Sequence, residues 1–255
     1  MSTFEDAFFL ERIAQARRIL RESHYVVAFT GAGISTPSGI PDFRSAGSGL
    51  WERFDPMEVA SLGVFLSNPR KFWDWKRPLL RQIWAVQPND AHRALAEMER
   101  QGILRAVITQ NIDQLHQRAG SQTVLELHGS IDRLECLKCQ ATFPMEDFRE
   151  FLETSEDMPR CPRDSSVLKP TIVLYQEMLP ADTWLKAEEH TRQADCMLVI
   201  GSSLEVFPAN ELPRRVVERG ARLMINNLSP TRLDNLATLV LPWDVCKVIP
   251  LLAEL

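Results

Sequence analysis

The sequence predicts a doubly wound α/β fold with a smaller inserted domain, on three observations. Short, near-continuous apolar runs recur at residues 25–29, 104–108, 123–127, 171–175, 196–200, 223–226 and 239–241. Strands that are apolar throughout are what a parallel sheet covered on both faces requires. Amphipathic segments lie between them at 90–101, 182–193 and 208–219, which supplies the covering helices. Finally, the stretches 44–88 and 129–170 break the alternation and mark where a second, smaller domain is inserted.

Composition narrows the class. The 255 residues are 45% hydrophobic and 25% charged, enough for one large or two unequal packed domains. Lys plus Arg is 29 and Asp plus Glu is 34, a net charge of -5 that argues against nucleic acid as a direct partner. A local basic patch at Arg160, Arg163 and Lys169 is the residual alternative. No apolar run approaches the roughly 18 residues of a membrane span. The first residues carry Glu5, Asp6 and Glu11 without a signal-peptide pattern, so a cytoplasmic protein with no membrane partner is expected. The five cysteines include a Cys136-x-x-Cys139 pair, which favours metal binding over disulfides, while Cys196 and Cys246 read as packing groups.

Along the chain, the first strand runs into Thr30-Gly31-Ala32-Gly33-Ile34-Ser35, where glycines let the backbone approach a pyrophosphate. A tight strand-to-helix turn is the plainer alternative. Thr36 and Pro37 stand where the dinucleotide fingerprint has its third glycine, and no strand ends in an acid about 20 residues later, which disfavours a hydride-transferring dehydrogenase. The turn Gly39-Ile40-Pro41-Asp42-Phe43-Arg44 follows, and a solvated Asp and Arg pair would account for it. Residues 44–88 are Gly-rich and then aromatic, with Trp51, Phe54, Phe65, Phe72, Trp73, Trp75 and Trp84. Gln110, Asn111 and Asp113 cluster after an apolar run, at a strand's carboxyl end, where open α/β sheets bind ligands. Capping the next helix uses one of them and leaves the others unexplained. His128 sits at another carboxyl end, suited to a general base, whereas His24, His92, His116 and His190 read as structural. Residues 129–170 hold three cysteines with Pro144, Pro159, Pro162 and Pro170, the composition of a metal-stapled minidomain.

Taken in order, Gly31-Ala32-Gly33-Ile34-Ser35, Gly39-Ile40-Pro41-Asp42-Phe43-Arg44, Gln110-Asn111-Ile112-Asp113 and His128-Gly129 closely resemble the sirtuin family of NAD-dependent protein deacylases. The Cys136 and Cys139 pair, Gly201-Ser202-Ser203-Leu204 and Ile225-Asn226 extend the resemblance from about Phe8 to the end of the chain.

The resemblance implies a Rossmann-like NAD-binding domain from 1–43, 89–128 and 171–255, a cofactor loop and helical insertion at 44–88, and a zinc-ribbon-like small domain at 129–170. It further implies that Gly31, Ala32, Gly33 and Ser35 line the NAD phosphate and ribose site. Asp42, Phe43 and Arg44 would belong to the nicotinamide end and the mobile loop running through Gly47 and Gly49. Ile112 and Asp113 would hold the nicotinamide carboxamide, with Gln110 and Asn111 at the ribose. Gly201, Ser202, Ser203, Asn226 and Val245 would form the adenosine end. His128, with Asn111, would be catalytic, deprotonating a ribose hydroxyl that attacks the intermediate formed when the acyl oxygen displaces nicotinamide. NAD is then a consumed co-substrate, the partner is an acyl-lysine protein or peptide, and the products are nicotinamide, free lysine and O-acyl-ADP-ribose. The oligomeric state is not implied.

Three departures qualify the resemblance. The family's Gly-Thr-Ser turn reads Gly201-Ser202-Ser203, which keeps the hydroxyl. Its Phe-Gly-Glu reads Tyr175-Gln176-Glu177, and a side chain at Gln176 is expected to narrow the peptide cleft. The second Cys-x-x-Cys reads Cys161-Pro162-Arg163-Asp164, so the expected zinc site is Cys136, Cys139, Cys161 and Asp164. Relatives that remove acidic acyl groups carry a Tyr-x-x-Arg pair in the insertion. The two tyrosines here, Tyr25 and Tyr175, lie outside it, so neutral acyl groups are expected and the insertion's aromatics are expected to be core. The enzymatic alternative is an NAD-consuming ADP-ribosyltransferase or NAD hydrolase, which needs the same pocket without the peptide strand.

Overall fold

The structure, a computed structural model, describes residues 3–43, 47 and 49–254. Helix α1 (Thr3–Arg21) leads into β1 (Val26–Thr30). The insertion follows as α2 (Leu50–Arg53), α3 (Pro56–Val59), α4 (Leu62–Ser67) and α5 (Pro69–Ala85). Next come α6 (Asp90–Arg100), β2 (Leu104–Thr109), α7 (Leu115–Ala119), β3 (Val124–Glu126), β4 (Gly129–Glu135), β5 (Thr142–Pro144), α8 (Arg149–Thr154) and β6 (Lys169–Ile172). The chain closes with α9 (Ala181–Gln193), β7 (Cys196–Ile200), α10 (Glu211–Glu218), β8 (Arg222–Asn226), β9 (Leu239–Leu241) and α11 (Val245–Ala253).

Six strands form a parallel sheet in the order β3-β2-β1-β7-β8-β9. Both faces are covered, and the strand pleat shows why the runs read apolar throughout. Val26 and Ala28 pack into one core with α1, α6 and α11, while Val27 and Phe29 pack into the other with α9 and α10. The chain winds outward from β1 in one direction and from β7 in the other. The carboxyl ends of β1 and β7 therefore flank the switch point, where a crevice opens.

That crevice is tight at the backbone. Gly33 N donates to Gly201 O at 2.8 Å, and Gly201 has φ +60. A Cβ at Gly201 would meet Ile34 N at 2.3 Å. Gly201→Ala combines a left-handed backbone with a clash against main chain, so we expect a loss of about 3 kcal/mol or more in denaturant unfolding. A loss under about 1 kcal/mol would contradict this packing.

One expected strand lies elsewhere. The run 171–175 does not join the parallel sheet, because β6 pairs antiparallel with β4 in a second, three-stranded sheet, β5-β4-β6. Beyond β6, Val173 N donates to His128 O and Tyr175 N to Ala60 O, so the segment bridges the crevice and the insertion. Apolarity alone does not say which sheet a strand enters. The helix expected from 208 starts at Glu211, since Asn210 N donating to Val206 O makes a turn first.

The two segments that break the alternation share one core. Phe65, Phe72, Trp73 and Leu80 of the insertion pack with Ile131, Leu134, Leu152 and Leu168. Trp73 Nε1 donates to Leu168 O at 3.1 Å, and the buried Arg77 pairs with Glu156 at 3.0 Å. Lys169, 2% exposed, pairs with Glu135 at 2.8 Å and Glu177 at 3.2 Å, joining the small sheet to the crossing segment. Among the described residues no helix is long and apolar enough to cross a membrane.

Candidate active site

The crevice is a cavity of about 1250 Å³ between the carboxyl ends of the parallel sheet, the insertion and the 172–179 segment. Of the sequence-predicted residues, Ala32, Gly33, Ser35, Asp42, Phe43, Gln110, Asn111, Ile112, Asp113, His128, Gly201, Ser202, Ser203 and Val245 line it. Arg44 lies outside the described residues. Gly31 and Asn226 are not on the wall. Gly31 works behind it, its carbonyl accepting from Asn111 Nδ2 at 3.1 Å. Asn226 is fully buried and donates Nδ2 to Leu241 O and Trp243 O, so it fastens the link between β9 and α11, and its neighbour Asn227 reaches the cavity instead.

The polar cluster after β2 is held by a closed network. Asn111 Nδ2 also donates to Ser35 Oγ at 3.1 Å, and Ser35 Oγ donates to Asp113 Oδ2 at 2.7 Å. Asp113 Oδ1 accepts from Leu115 N, the first amide of α7, at 2.9 Å. Burial raises the Asp113 carboxyl above its usual range, opposed by Leu115 N and Ser35. Underneath, Asn111 N donates to Thr109 Oγ1 at 3.0 Å, and Thr30 Oγ1 donates to the same oxygen at 2.8 Å. Thr30 Oγ1 has thus given its proton and accepts from His116 Nε2 at 2.9 Å.

His128 is oriented by main chain. Its Nδ1 lies 2.9 Å from Gln110 O, and a carbonyl can only accept, so Nδ1 carries the proton and a neutral ring keeps Nε2 as its basic nitrogen. Gln110 Oε1 accepts from Ser202 Oγ at 2.9 Å, while Gln110 Nε2 is buried without a partner. A buried amide donor on the cavity wall calls for an acceptor from a ligand, as a ribose hydroxyl would supply. Together with the glycine-lined approach at Gly33, the donor set fits a dinucleotide.

Two histidines read as structural do support the site. His92 and His116 lie with ring centroids 4.9 Å apart and are fully or almost fully buried. Burial pushes His92 down to about 4, and burial followed by the neighbouring His92 depresses His116. A lowered histidine pKa means that the unfolded chain binds more protons in acid. The stability is full above the unfolded value of about 6.5 and is lost as pH falls towards 4, by about 3 kcal/mol for His92. Urea unfolding at pH 7.5 and 5.0 should show about 2 kcal/mol of this loss, and His92→Gln should remove most of it. Equal pH dependence in both proteins would contradict the assignment.

The insertion also contributes to the site, which its composition alone does not reveal. Trp51, Trp75 and Lys76 line the cavity, so its aromatics divide. Phe65, Phe72 and Trp73 are buried core, whereas Trp51 stacks on Phe43 at 5.0 Å and faces the crevice. The signal was the 75, 76, 79, 82, 83 spacing, one face of α5. Gln176 has φ 77, the left-handed region, which accounts for glycine there in the family pattern. Its Oε1 accepts from Gly63 N at 3.2 Å, so it lines the cavity and also ties the segment to the insertion.

A second cluster lies in the small module. One ligand atom each from Cys136, Cys139, Cys161 and Asp164 falls within 4.8 Å of the others. Cys139 Sγ and Cys161 Sγ are 3.6 Å apart, and Cys136 Sγ is 3.5 Å from Asp164 Oδ1. Tetrahedral zinc with bonds of about 2.3 Å to sulfur and 2.0 Å to oxygen sets these separations at about 3.8 and 3.5 Å. The four residues are positioned to hold one zinc ion. Ser166 N donates to Asp164 and keeps its carboxyl down at about 2, so the group that would face the metal is anionic.

Comparison with known proteins settles the family. Residues 31–208 match the sequence profile described as the Sir2 family. The chain belongs to the Sir2 family. It is 46% identical over 245 residues to NAD-dependent protein deacylase 2 of Archaeoglobus fulgidus, covering 96% of each chain. To the NAD-dependent protein deacetylase of Thermotoga maritima it is 43% identical over 229 residues, 90% of this chain and 92% of that one. Among solved Sir2 structures, one described with a deacetylated p53 peptide and 3′-O-acetyl ADP ribose superposes with TM-score 0.89 at 40% identity, over 95% of this chain and 98% of that one. Another, bound to a propionylated peptide, gives TM-score 0.84 at 40% identity, over 93% and 95%.

Proposed function

We propose that this Sir2 protein is an NAD-dependent protein-lysine deacylase in which His128 is the general base. The observation that carries the reading is the His128 Nδ1 bond to Gln110 O, which leaves Nε2 as the basic nitrogen on a wall shared with Asn111 and Asp113. Acyl-lysine, NAD and water give lysine, nicotinamide and O-acyl-ADP-ribose: the Nε–acyl bond and the nicotinamide–ribose bond break, and the acyl group ends on a ribose oxygen.

Ser35 holds the Asp113 carboxylate in place to orient an amide such as the nicotinamide carboxamide, with Ile112 beside it. Ala32, Gly33, Ser202 and Ser203 take the phosphate and ribose groups, Val245 packs on adenine, and Asp42 and Phe43 close the nicotinamide end. The 172–179 segment receives the acyl-lysine peptide, the substrate class of the peptide-bound relatives. We assign the large domain to 1–43, 89–128 and 171–255, the insertion to 44–88 and the zinc module to 129–170. The activity belongs in the cytoplasm, where thiolates stay reduced and available to zinc.

Nicotinamide release measured with and without acetyl-lysine peptide tests this. Release that depends on peptide, one nicotinamide per peptide deacylated, is expected. Equal release without peptide would instead identify an NAD hydrolase.

A further inference from the structure

Lys169 sits where the small module meets the 172–179 segment. It opens β6 and is almost fully buried. Its Nζ donates to Glu135 Oε1 at 2.8 Å and lies 3.2 Å from Glu177 Oε2. It also reaches carbonyls of its own strand, Ile172 O at 2.9 Å and Pro170 O at 3.2 Å. An ammonium has three protons to give, so these acceptors saturate it. A buried ion pair is weak evidence for stability, since apolar side chains of similar volume often hold a fold as well. What this set fixes is position.

The strand it belongs to needs fixing. β6 pairs with β4 at Lys169 with Glu135 and Pro170 with Leu134, and the register then shifts before Ile172 meets Gly129. Across that irregularity the ladder is replaced by Lys169 Nζ on Pro170 O and Ile172 O, and by Thr171 Oγ1 donating to Ser130 O at 2.9 Å. Further on, Glu177 closes a turn: its Oε2 accepts from Leu174 N at 2.7 Å, and its N donates to Leu174 O at 3.0 Å. The same Oε2 faces Lys169, so one ammonium holds Ile172 by its carbonyl and Leu174 by way of a carboxylate. Both residues line the cavity, and Val173 between them donates its N to His128 O. The Asn111, Ser35 and Asp113 network and the Gln110 to Ser202 bond are built from other elements, at the carboxyl ends of β1, β2 and β7.

We propose that Lys169 is a positioning residue for the acyl-lysine peptide: held between Glu135 of the small module and Glu177, it sets the 172–177 edge that receives the peptide. This rests on the deacylase reading above. Lys169 touches no reacting atom. It acts through Glu177 on the edge, and Glu135 fastens the ammonium to β4, so the small module sets where the peptide lies while the dinucleotide end is set by the parallel sheet. Losing the cation therefore weakens peptide binding and spares NAD.

The test measures kcat and the KM values for acetyl-lysine peptide and NAD in the wild type, Lys169→Met, Lys169→Arg, Glu177→Ala and the double variant K169M/E177A. K169M should raise the peptide KM about tenfold or more, with kcat and the NAD KM within about threefold of wild type, the pattern of lost ground-state binding. K169R should recover most of the loss. The double variant should resemble E177A alone, because residues that act as a unit are not additive. An unchanged peptide KM in K169M, an equal rise in the NAD KM, or additive losses in the double variant would overturn the proposal while sparing the deacylase reading. Should K169M not fold, Glu135→Gln reads the same link: a higher peptide KM with NAD unaffected supports the proposal, and an unchanged peptide KM overturns it. A wild type that leaves the peptide acetylated would overturn both readings.

Discussion

His128→Ala should lose about a hundred- to ten-thousand-fold in deacylation rate, the usual cost of removing a positioned general base. The ring is placed by a main-chain carbonyl, Gln110 O, and that residue's side chain is fixed separately by Ser202. Removing the imidazole therefore leaves the Asn111, Ser35 and Asp113 network in place. NAD binding, followed by calorimetry, should stay within a few-fold of wild type while kcat collapses. A variant with near-normal kcat would show that another group takes the proton.

Removing zinc should have the largest effect on stability. Cys136 and Cys161 are buried in the core shared by the small module and the insertion, and that core also holds Ile172 and Leu174 of the cavity wall. Structural zinc sites contribute on the order of 10 kcal/mol of apparent binding energy, which is folding energy for a module of this size. Cys161→Ser, or exhaustive chelation, should expose the module to protease, lower Tm by 10 °C or more and raise the peptide KM before it alters NAD affinity. Asp164→Cys should hold zinc more tightly than the wild type and to lower pH, because a fourth thiolate replaces a hard oxygen ligand. Metal-free protein with unchanged protease resistance and activity would show that packing alone holds the module.

Much of the site was legible because its parts are local. Gly31 to Ser35, Gln110 to Asp113 and His128 each follow an apolar run directly, and a strand's carboxyl end in a doubly wound sheet is where ligands bind. The metal set was legible for the same reason, two pairs each three residues apart. Features that depend on which face a residue presents were not. Asn226 and Asn227 are adjacent at the end of β8, and the pleat turns one into the protein and the other towards the cavity. The run 171–175 reads like the other strands, yet Lys169 and the His128 carbonyl draw it into the small sheet and across the crevice. The aromatics of residues 44–88 read as core because composition does not say which face of a helix each one occupies. Only the packed helix shows that α5 turns Trp73 inward while presenting Trp75 and Lys76 to the cavity.

The central claim is that this cavity transfers an acyl group from lysine to ADP-ribose. Incubating the protein with NAD and an acetyl-lysine peptide, then weighing the products, tests it most directly. The account predicts deacetylated peptide, nicotinamide and O-acetyl-ADP-ribose in equal amounts. ADP-ribosylated protein, or free ADP-ribose with the peptide still acetylated, would contradict it.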